Sequence, residues 1–266
     1  MKGIICYYSG TGNTKLACRY IQDKLHDTQL DLFDIARDGT PDLHEYGLVA
    51  FATFTDYLGP PFLMKRFIED LPDQDRKPCF VFNTFGFMSG KTLPSLGKWA
   101  TAKGFNVFMG HSLHTPESFP PMIIRGKGYI DAPNDKELAK FEAFILKLRT
   151  QVRLRVWEGK EPVHEKLQAG IIGLIVPMPK RTKSRIGMGK KFVDFDRCVE
   201  CGICQDSCPY GAITMDPKPA FDQKKCYGCW SCFNHCPKKA IYTTAVKGQG
   251  HYPHPHKNLR RKLKIR

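Results

Sequence analysis

Eight of the eleven cysteines in this chain fall in two short segments near its C-terminal end. The first segment reads CVECGICQDSCP at 198–209, and the second reads CYGCWSCFNHCP at 226–237. Both follow the pattern C-x2-C-x2-C-x3-C-P, and the second repeats the first at an offset of 28 residues. Thiolate is a soft anionic ligand that suits iron–sulfur clusters, zinc and copper(I). The segments therefore predict two metal centres that pack as a pseudo-symmetric pair.

Zinc sites and disulfides are the alternatives for these thiols. Structural zinc usually combines one C-x2-C pair with a distant second pair, not with three closely spaced cysteines in a row. Disulfide frameworks are typical of small secreted domains, and the N-terminal sequence MKGIICYYSG lacks the pattern of a signal peptide. The spacing therefore favours iron–sulfur clusters over both alternatives.

Residues 192–245, which contain both segments, resemble the bacterial ferredoxins that carry two [4Fe–4S] clusters. The resemblance implies two such clusters in one compact unit that carries electrons one at a time. It also implies crossed ligation, in which the cysteine before each proline binds the cluster of the other segment. The ligands expected for one cluster are Cys198, Cys201, Cys204 and Cys236. The ligands expected for the other are Cys226, Cys229, Cys232 and Cys208.

A second candidate site lies near the N-terminus, where the sequence SGTGNT at 9–14 separates a predicted strand from a predicted helix. This sequence matches neither G-x-x-x-x-G-K-[ST] nor G-x-G-x-x-G. Its glycines allow close approach of the backbone, and its hydroxyl groups, amide group and helix-start N–H groups can donate hydrogen bonds to an anion. The sequence therefore predicts a phosphate-binding loop, and a plain turn with a helix cap is the alternative.

The same loop resembles the first loop of the flavodoxins, whose pattern S/T-x-T-G-N-T holds the phosphate of FMN. The resemblance implies FMN as a cofactor and a phosphate site in the first loop. The residues expected to form this site are Ser9, Gly10, Thr11, Gly12, Asn13 and Thr14.

Predicted strands and helices alternate on both sides of this loop. The strands are predicted at 2–8, 30–35, 47–54, 78–86 and 105–113, and the helices at 12–25, 62–71, 93–104 and 134–152. Alternation of this kind predicts βαβ units and a parallel sheet. Together with the resemblances, the expected fold class is α/β, with a flavodoxin-like, doubly wound parallel sheet of five strands in the order 2-1-3-4-5. A C-terminal α+β two-cluster ferredoxin domain is expected to follow it.

Two loops at the carboxyl ends of the third and fourth predicted strands are expected to enclose the flavin ring. They read TFTDYLGPP at 53–61 and NTFGFMSG at 83–90. Tyr57 and Phe87 are candidates for stacking on the ring, although core packing is the alternative for both. Candidates for close approach or other ring contacts are Thr53, Phe54, Thr55, Leu58, Gly59, Thr84, Phe85, Gly86 and Gly90. The loop HTPESFPPM at 114–122 is expected to cover the flavin edge or a domain interface.

Charge is unevenly distributed along the chain, whose formal net charge is +15. Residues 1–150 have a net charge of +1, and residues 151–266 have a net charge of +14. We expect a flavodoxin-like FMN-binding domain at 1–150, a helical and basic connector at 151–191, a ferredoxin domain at 192–245 and a basic tail at 246–266. The basic excess predicts an acidic redox protein as partner. Neither DNA binding nor a transmembrane segment is expected, and the oligomeric state stays open.

These features predict a cytoplasmic electron-transfer protein of an anaerobic cell, which moves electrons between FMN and two [4Fe–4S] clusters and on to a protein partner. One alternative is a flavin-dependent reductase of a small organic substrate that is fed by the clusters. His111, His114 and Glu117 are its candidate proton donors. Another alternative is a redox-sensing binder of nucleic acid or of a regulatory partner, which the basic C-terminal sequence suggests.

Overall fold

The computed structural model describes residues 1–158, 161–170 and 188–265 of the chain. Much of the expected basic connector, 171–187, lies outside these residues. No helix within the described ranges has both the length and the apolar character needed to cross a bilayer.

Five parallel strands form a central sheet in the order β2-β1-β3-β4-β5. Their bounds are β1 Lys2–Tyr7, β2 Gln29–Asp34, β3 Leu48–Phe54, β4 Pro78–Phe85 and β5 Asn106–His114. The inner strands β3 and β4 are buried at every residue except the last. Helices cover both faces of the sheet, so side chains that point to either face are shielded from water. The predicted fold class is confirmed.

Five helices accompany the sheet: α1 Asn13–Lys24, α2 Phe62–Asp70, α3 Thr92–Ala102, α4 Pro120–Ile123 and α5 Asp135–Glu158. Helices α1 and α5 pack on one face of the sheet, and α2 and α3 pack on the other. Helix α5 begins with a reciprocal capping box between Asn134 and Glu137, whose side chains each accept the other's backbone N–H at 2.9 and 2.8 Å. This helix continues six residues beyond the predicted end at 152.

The C-terminal part of the chain consists of two small antiparallel sheets and two short helices. Strand β6 Phe192–Val193 pairs with β9 Ile241–Tyr242, and β7 Ile213–Asp216 pairs with β8 Lys218–Phe221. The helices are α6 Ile203–Asp206 and α7 Ser231–His235. An apolar cluster that includes Met188, Ile213, Trp230, Phe233 and Ile241 forms the core of this part.

The tail after 245 returns to the N-terminal domain and ends in helix α8, Lys257–Lys262. Leu259 and Leu263 are buried in the same core cluster as α1 and α5. The Lys262 amine donates to the carbonyl oxygen of Pro133 at 2.8 Å. The tail is therefore part of the packing of the N-terminal domain.

Candidate functional site

The structure gathers the eight clustered cysteines around two separate pockets. Cys198, Cys201, Cys204 and Cys236 line the first pocket, which we call the distal pocket. Cys208, Cys226, Cys229 and Cys232 line the second, which we call the proximal pocket. All eight thiols are free. Each pocket thus takes three cysteines from one segment and the last cysteine of the other, which is the grouping that crossed ligation requires.

The backbone around the two pockets is nearly the same because left-handed residues recur at the repeat offset. Glu200 and Gly228 have φ of 57° and 80°, and Gly202 and Trp230 have φ of 73° and 64°. These residues lie between successive ligands, where the chain must turn back around a common centre. Non-glycine residues in this conformation cost roughly 1–2 kcal/mol each, so they persist only where the turn is needed.

Backbone hydrogen bonds to sulfur also repeat. The N–H of Ala212 donates to Cys208 Sγ at 3.4 Å, and the N–H of Ala240 donates to Cys236 Sγ at 3.2 Å. Such bonds stabilise negative charge on the sulfur and are one way in which a protein adjusts the reduction potential of a cluster.

The donor set of both pockets fits iron–sulfur clusters. Burial raises the pKa of the Cys229 thiol to about 11 and also raises the pKa of Cys204. Without a metal these thiols would therefore be protonated at neutral pH. A bound metal would reverse this because its positive charge deprotonates coordinating thiols outright.

The predicted phosphate loop connects β1 to α1 and faces a small polar cavity. Ser9, Gly10, Thr11, Asn13 and Thr14 line this cavity together with Thr84. The Ser9 hydroxyl accepts the N–H groups of Gly12 and Lys15 at 3.1 and 3.2 Å. Among the hydrogen bonds of the described residues, none uses the N–H groups of Thr11, Asn13 or Thr14. A cradle of uncommitted N–H donors at a helix start fits a phosphate group.

A cleft of about 400 Å³ continues from this cavity along the carboxyl ends of β3 and β4. Tyr57 and Phe87 stand at its walls with 45% and 40% of their surface exposed, which places them at the cleft and outside the core. Phe54, Thr55, Leu58 and Gly86 also line it. A volume of this size with aromatic walls fits a flat heterocycle such as the flavin ring.

Several candidates for ring contact shape the loops and do not line the cleft. Thr53 is fully buried in β3. Gly59 closes a tight turn by exchanging backbone hydrogen bonds with Asp56. A Cβ atom on Gly90 would lie 2.3 Å from the carbonyl oxygen of Leu58, so its missing side chain lets the two predicted ring loops touch each other. Likewise, a Cβ atom on Gly12 would lie 2.8 Å from Pro255 Cδ, so Gly12 leaves room for the tail.

The loop at 114–122 lies between the two domains, and Glu117 organises it. Its carboxylate accepts three backbone N–H groups, from Ser118 at 2.8 Å, Phe119 at 2.9 Å and Phe87 at 3.0 Å. The carboxylate also explains Gly86, where a Cβ atom would lie 2.5 Å from it. Glu117 is a candidate proton donor by sequence, and in the structure its carboxylate fixes the geometry of the loop.

The other two candidate proton donors lie away from the cleft. His111 packs among Phe82, Phe141 and Phe144, and burial lowers its pKa to about 4. The His114 ring bonds to Glu137 at 3.0 Å and stacks on Phe85. The three candidate proton donors are therefore not brought together at the cleft, which only Glu117 among them lines.

A chain of side-chain hydrogen bonds, which the sequence did not reveal, ties the phosphate loop to the C-terminal part. Tyr252 donates its hydroxyl proton to Asn13 Oδ1 at 2.9 Å, and its backbone N–H donates to Asn234 Oδ1 at 3.1 Å. Asn234 in turn donates to the carbonyl oxygen of Ser118 at 3.1 Å. No local spacing could signal this network, because 239 residues separate Asn13 from Tyr252.

Cys229 connects the two candidate sites. It lines the proximal pocket, the cleft and the phosphate cavity. The neighbouring Gly228 and Trp230 also line the cleft, facing Met88 and Phe119 of the N-terminal domain. The proximal pocket therefore adjoins the cleft, whereas the residues of the distal pocket all belong to the C-terminal part.

Two families match the chain, one in each part. Residues 5–143 match the family described as flavodoxin, and residues 197–248 match the 4Fe-4S dicluster domain.

Individual relatives match either part as well. The pyruvate synthase subunit PorD of Methanocaldococcus jannaschii is 36% identical over 76 residues, which are 27% of this chain and 88% of that protein. PorD of Methanothermobacter marburgensis is 42% identical over 52 residues, 20% of this chain and 62% of that protein. Among solved structures, an archaeal flavodoxin is similar to this chain, with 18% sequence identity and a TM-score of 0.41. The match covers 57% of this chain and 99% of the archaeal flavodoxin.

Proposed function

The chain belongs to the flavodoxin family and carries a 4Fe-4S dicluster ferredoxin domain, and we propose that it conducts electrons along one internal path between FMN and two [4Fe–4S] clusters. In this proposal the distal pocket holds one cluster and the proximal pocket holds the other. A redox protein docks beside the distal pocket, and FMN lies in the cleft beside the proximal pocket. The flavodoxin and ferredoxin domains support an electron-transfer role.

One observation carries the proposal: Cys229 belongs to both the proximal pocket and the cleft. A residue shared by the walls of the two candidate sites would leave no room for a further domain between the two cofactors. The interface also buries Asn234, at 3% exposure, and holds it with hydrogen bonds on both sides. The two sites are thus held in a fixed relation by the fold.

The residues of the chain divide the work of holding the cofactors. The N–H groups of Thr11, Asn13 and Thr14 would bind the phosphate of FMN, and Tyr57 and Phe87 would flank its ring. The eight cysteines would hold the clusters in the crossed sets given above. When bound, FMN exchanges up to two electrons and each cluster exchanges one. The flavin and the clusters together would therefore convert between two-electron and one-electron chemistry.

The rim of the distal pocket supports docking of a protein there. Val199 and Ile203 line this pocket and have 54% and 39% of their surface exposed, and Cys201 is exposed beside them. Lys238 adds a positive charge to the same rim. Apolar contact beside this one positive charge suits an acidic redox partner. Free thiols and exposed cluster ligands suit the reducing cytoplasm of an anaerobic cell.

The proposal is tested first by cofactor content after anaerobic purification. We expect about eight irons and one FMN per chain, as two [4Fe–4S] clusters and one flavin require. About four irons or fewer, or the absence of flavin after acid release, would contradict the proposal.

The direction of the path is tested with the Cys201→Ser variant, which changes the distal pocket only. We expect that an acidic ferredoxin reduces the FMN of the wild-type chain and that this reduction slows strongly in the variant. Dithionite serves as the control, because a small reductant can reach the flavin directly. Equal rates in both proteins would exclude entry through the distal cluster, and rates that do not fall with added salt would exclude the acidic partner.

A further inference from the structure

The wall of the proximal pocket contains a buried amine, that of Lys191. This residue is only 1% exposed and lines the same pocket as Cys226, Cys229 and Cys232. A fully buried lysine is rare because removing an ammonium group from water is costly unless it finds compensating partners.

The partners that Lys191 has are all suited to an ammonium ion. Its Nζ atom donates to the carbonyl oxygens of Met188 and Gly189, each at 3.0 Å, and lies 3.9 Å from the centre of the Trp230 ring. Carbonyl oxygens accept from an ammonium group, and the face of an indole ring attracts a cation. None of the ion pairs among the described residues joins Lys191 to a carboxylate. Burial lowers the pKa of this amine, and the neighbouring Cys232, Cys226 and Cys229 act in the opposite direction and raise it.

The loop that carries Lys191 is fixed against the second cysteine segment. The indole N–H of Trp230 donates to Met188 Sδ at 3.4 Å, and the side-chain amide of Gln223 donates to the carbonyl oxygen of Lys191 at 2.9 Å. A Cβ atom on Gly228 would lie 2.7 Å from Met188 Cβ, so the two segments are in close contact. The amine is therefore positioned by packing.

The distal pocket has no such cation at the equivalent place. The repeat offset of 28 residues relates Lys191 to Pro219, and Pro219 lines the distal pocket. A proline carries no charge and no side-chain donor. The two pockets therefore share ligand number and backbone but differ in one buried positive charge.

We propose that Lys191 sets the order of the two reduction potentials by holding a positive charge against the proximal cluster, which raises its potential above that of the distal cluster. This inference rests on the proposed function, because it requires clusters in both pockets. Reduction adds one negative charge to a cluster that its four thiolates already make anionic, and a fixed cation nearby stabilises the reduced form more than the oxidised form. One electron then leaves the reduced distal cluster and enters the oxidised proximal cluster, and no proton is transferred. At equilibrium the electron would therefore occupy the cluster that adjoins the flavin.

The test is a redox titration of the full anaerobic protein, followed by electron paramagnetic resonance, which resolves the two clusters. Lys191→Met removes the charge with little change in volume. We expect its proximal cluster to become harder to reduce by about tenfold or more, which is a shift of about 59 mV for a one-electron couple. The distal cluster should keep its potential. The Cys201→Ser variant assigns the signals, because it alters the distal cluster only.

Lys190→Met is the matched control, since it removes the same charge one residue away at an exposed position. Solvent screens that charge, so we expect no shift in either cluster. Lys191→Gln is a second uncharged variant that keeps a donor for the two carbonyl groups. It should lower the proximal potential as Lys191→Met does, and it serves if the methionine variant fails to load the cluster.

The outcomes separate this inference from the proposed function. If the wild-type protein holds only one cluster, the proposed function fails. If it holds two clusters but both uncharged variants leave the proximal potential unchanged, or lower both potentials equally, Lys191 does not order them. The result that supports the inference is a decrease confined to the proximal cluster in either variant and absent in Lys190→Met.

Discussion

The two cysteine segments share a backbone but have different surroundings. Around the distal pocket, Val199 and Ile203 are exposed to solvent. At the equivalent places around the proximal pocket, the Tyr227 hydroxyl accepts the N–H of Phe62 from the N-terminal domain at 2.9 Å, and Ser231 is buried. The first segment thus faces outward, and the second forms part of a domain interface.

This difference separates the features of the repeat that would serve cluster binding from those that depend on the surroundings of each segment. Ligand spacing, left-handed turns and the N–H···S bonds recur in both segments, as wrapping a cluster requires. The residues between the ligands differ, because one set meets water or a partner and the other meets the flavodoxin domain. A duplicated unit can therefore serve as both the entrance and the interior end of a path for electrons.

Crossed ligation is the feature whose disruption we expect to have the largest effect on this comparison. Cys208 lies in the first segment but lines the proximal pocket, and Cys236 lies in the second but lines the distal pocket. We expect Cys208→Ser to remove or convert the proximal cluster and Cys236→Ser to do the same to the distal cluster. The loss should approach about four of eight irons in each case. Iron analysis and electron paramagnetic resonance of both variants measure it.

The control for this pair is Cys79→Ser, which changes a buried core cysteine that lines neither pocket. It should keep the full iron content. If Cys208→Ser instead affects the signal that Cys201→Ser affects, each segment binds its own cluster and the crossed arrangement is wrong.

Much of this architecture could be predicted because its signals are local in the sequence. The doubled C-x2-C-x2-C-x3-C-P pattern located the cysteines that line the two pockets. Alternating apolar segments predicted a parallel five-stranded sheet, and the resemblance to flavodoxins supplied its strand order. The loop at 9–14 was placed correctly between β1 and α1 because glycine and hydroxyl residues at a strand–helix junction have few other uses.

The interface could not be predicted, since its contacts join residues far apart in the chain. Lys191 is the last residue of the predicted helical and basic connector at 151–191, yet tertiary packing buries it beside the proximal pocket. Tyr252 lay in a sequence that suggested a basic tail, and it instead holds Asn13 of the phosphate loop. Gly86 and Gly90 are predicted to approach the flavin closely; Gly86 lines the cleft, and the missing side chains also leave room for Glu117 at Gly86 and for Leu58 at Gly90. In each case the decisive partner lies in another element, which local patterning does not specify.

Backbone strain is expected to distinguish the two segments by a second and smaller effect. Glu200 and Gly228 occupy equivalent left-handed positions, but only Gly228 is packed, with Met188 Cβ 2.7 Å from where its own Cβ would be. Gly228→Ala should therefore destabilise the proximal segment by about 2–5 kcal/mol, through both left-handed strain and overpacking. Glu200→Ala should change stability by less than about 0.5 kcal/mol, because the position is exposed and already has a Cβ atom.

Release of iron on heating under anaerobic conditions compares these two variants. We expect early loss of the proximal cluster in Gly228→Ala and a release profile like that of the wild type in Glu200→Ala. Similar effects of the two substitutions would mean that the two segments are packed alike, which would contradict the difference in their surroundings. Glu200→Gly should delay loss of the distal cluster slightly, because glycine relieves the left-handed strain at that position.

The smallest effect is expected where the second segment meets the phosphate loop. Asn234 is buried and bonds to Ser118 and Tyr252, whereas its repeat equivalent, Asp206, is exposed. Asn234→Ala leaves a carbonyl oxygen and an N–H group without their partner, which costs about 1–3 kcal/mol. Tyr252 then holds Asn13 less firmly. We expect FMN to bind about tenfold more weakly, which corresponds to about 1.4 kcal/mol.

Fluorescence titration of the flavin-depleted protein with FMN measures this change, and Asp206→Ala is the matched control. Both substitutions truncate the same place in the repeat, so any general weakening of the ferredoxin fold should appear in both. A weaker affinity in Asn234→Ala alone would show that the ferredoxin domain helps to shape the flavin site. Unchanged affinity in both would mean that the phosphate loop holds its geometry independently, and the proximal segment would then contribute only a cluster. The distinction matters because a shared hydrogen-bond network would let the structure of one cofactor site alter the other.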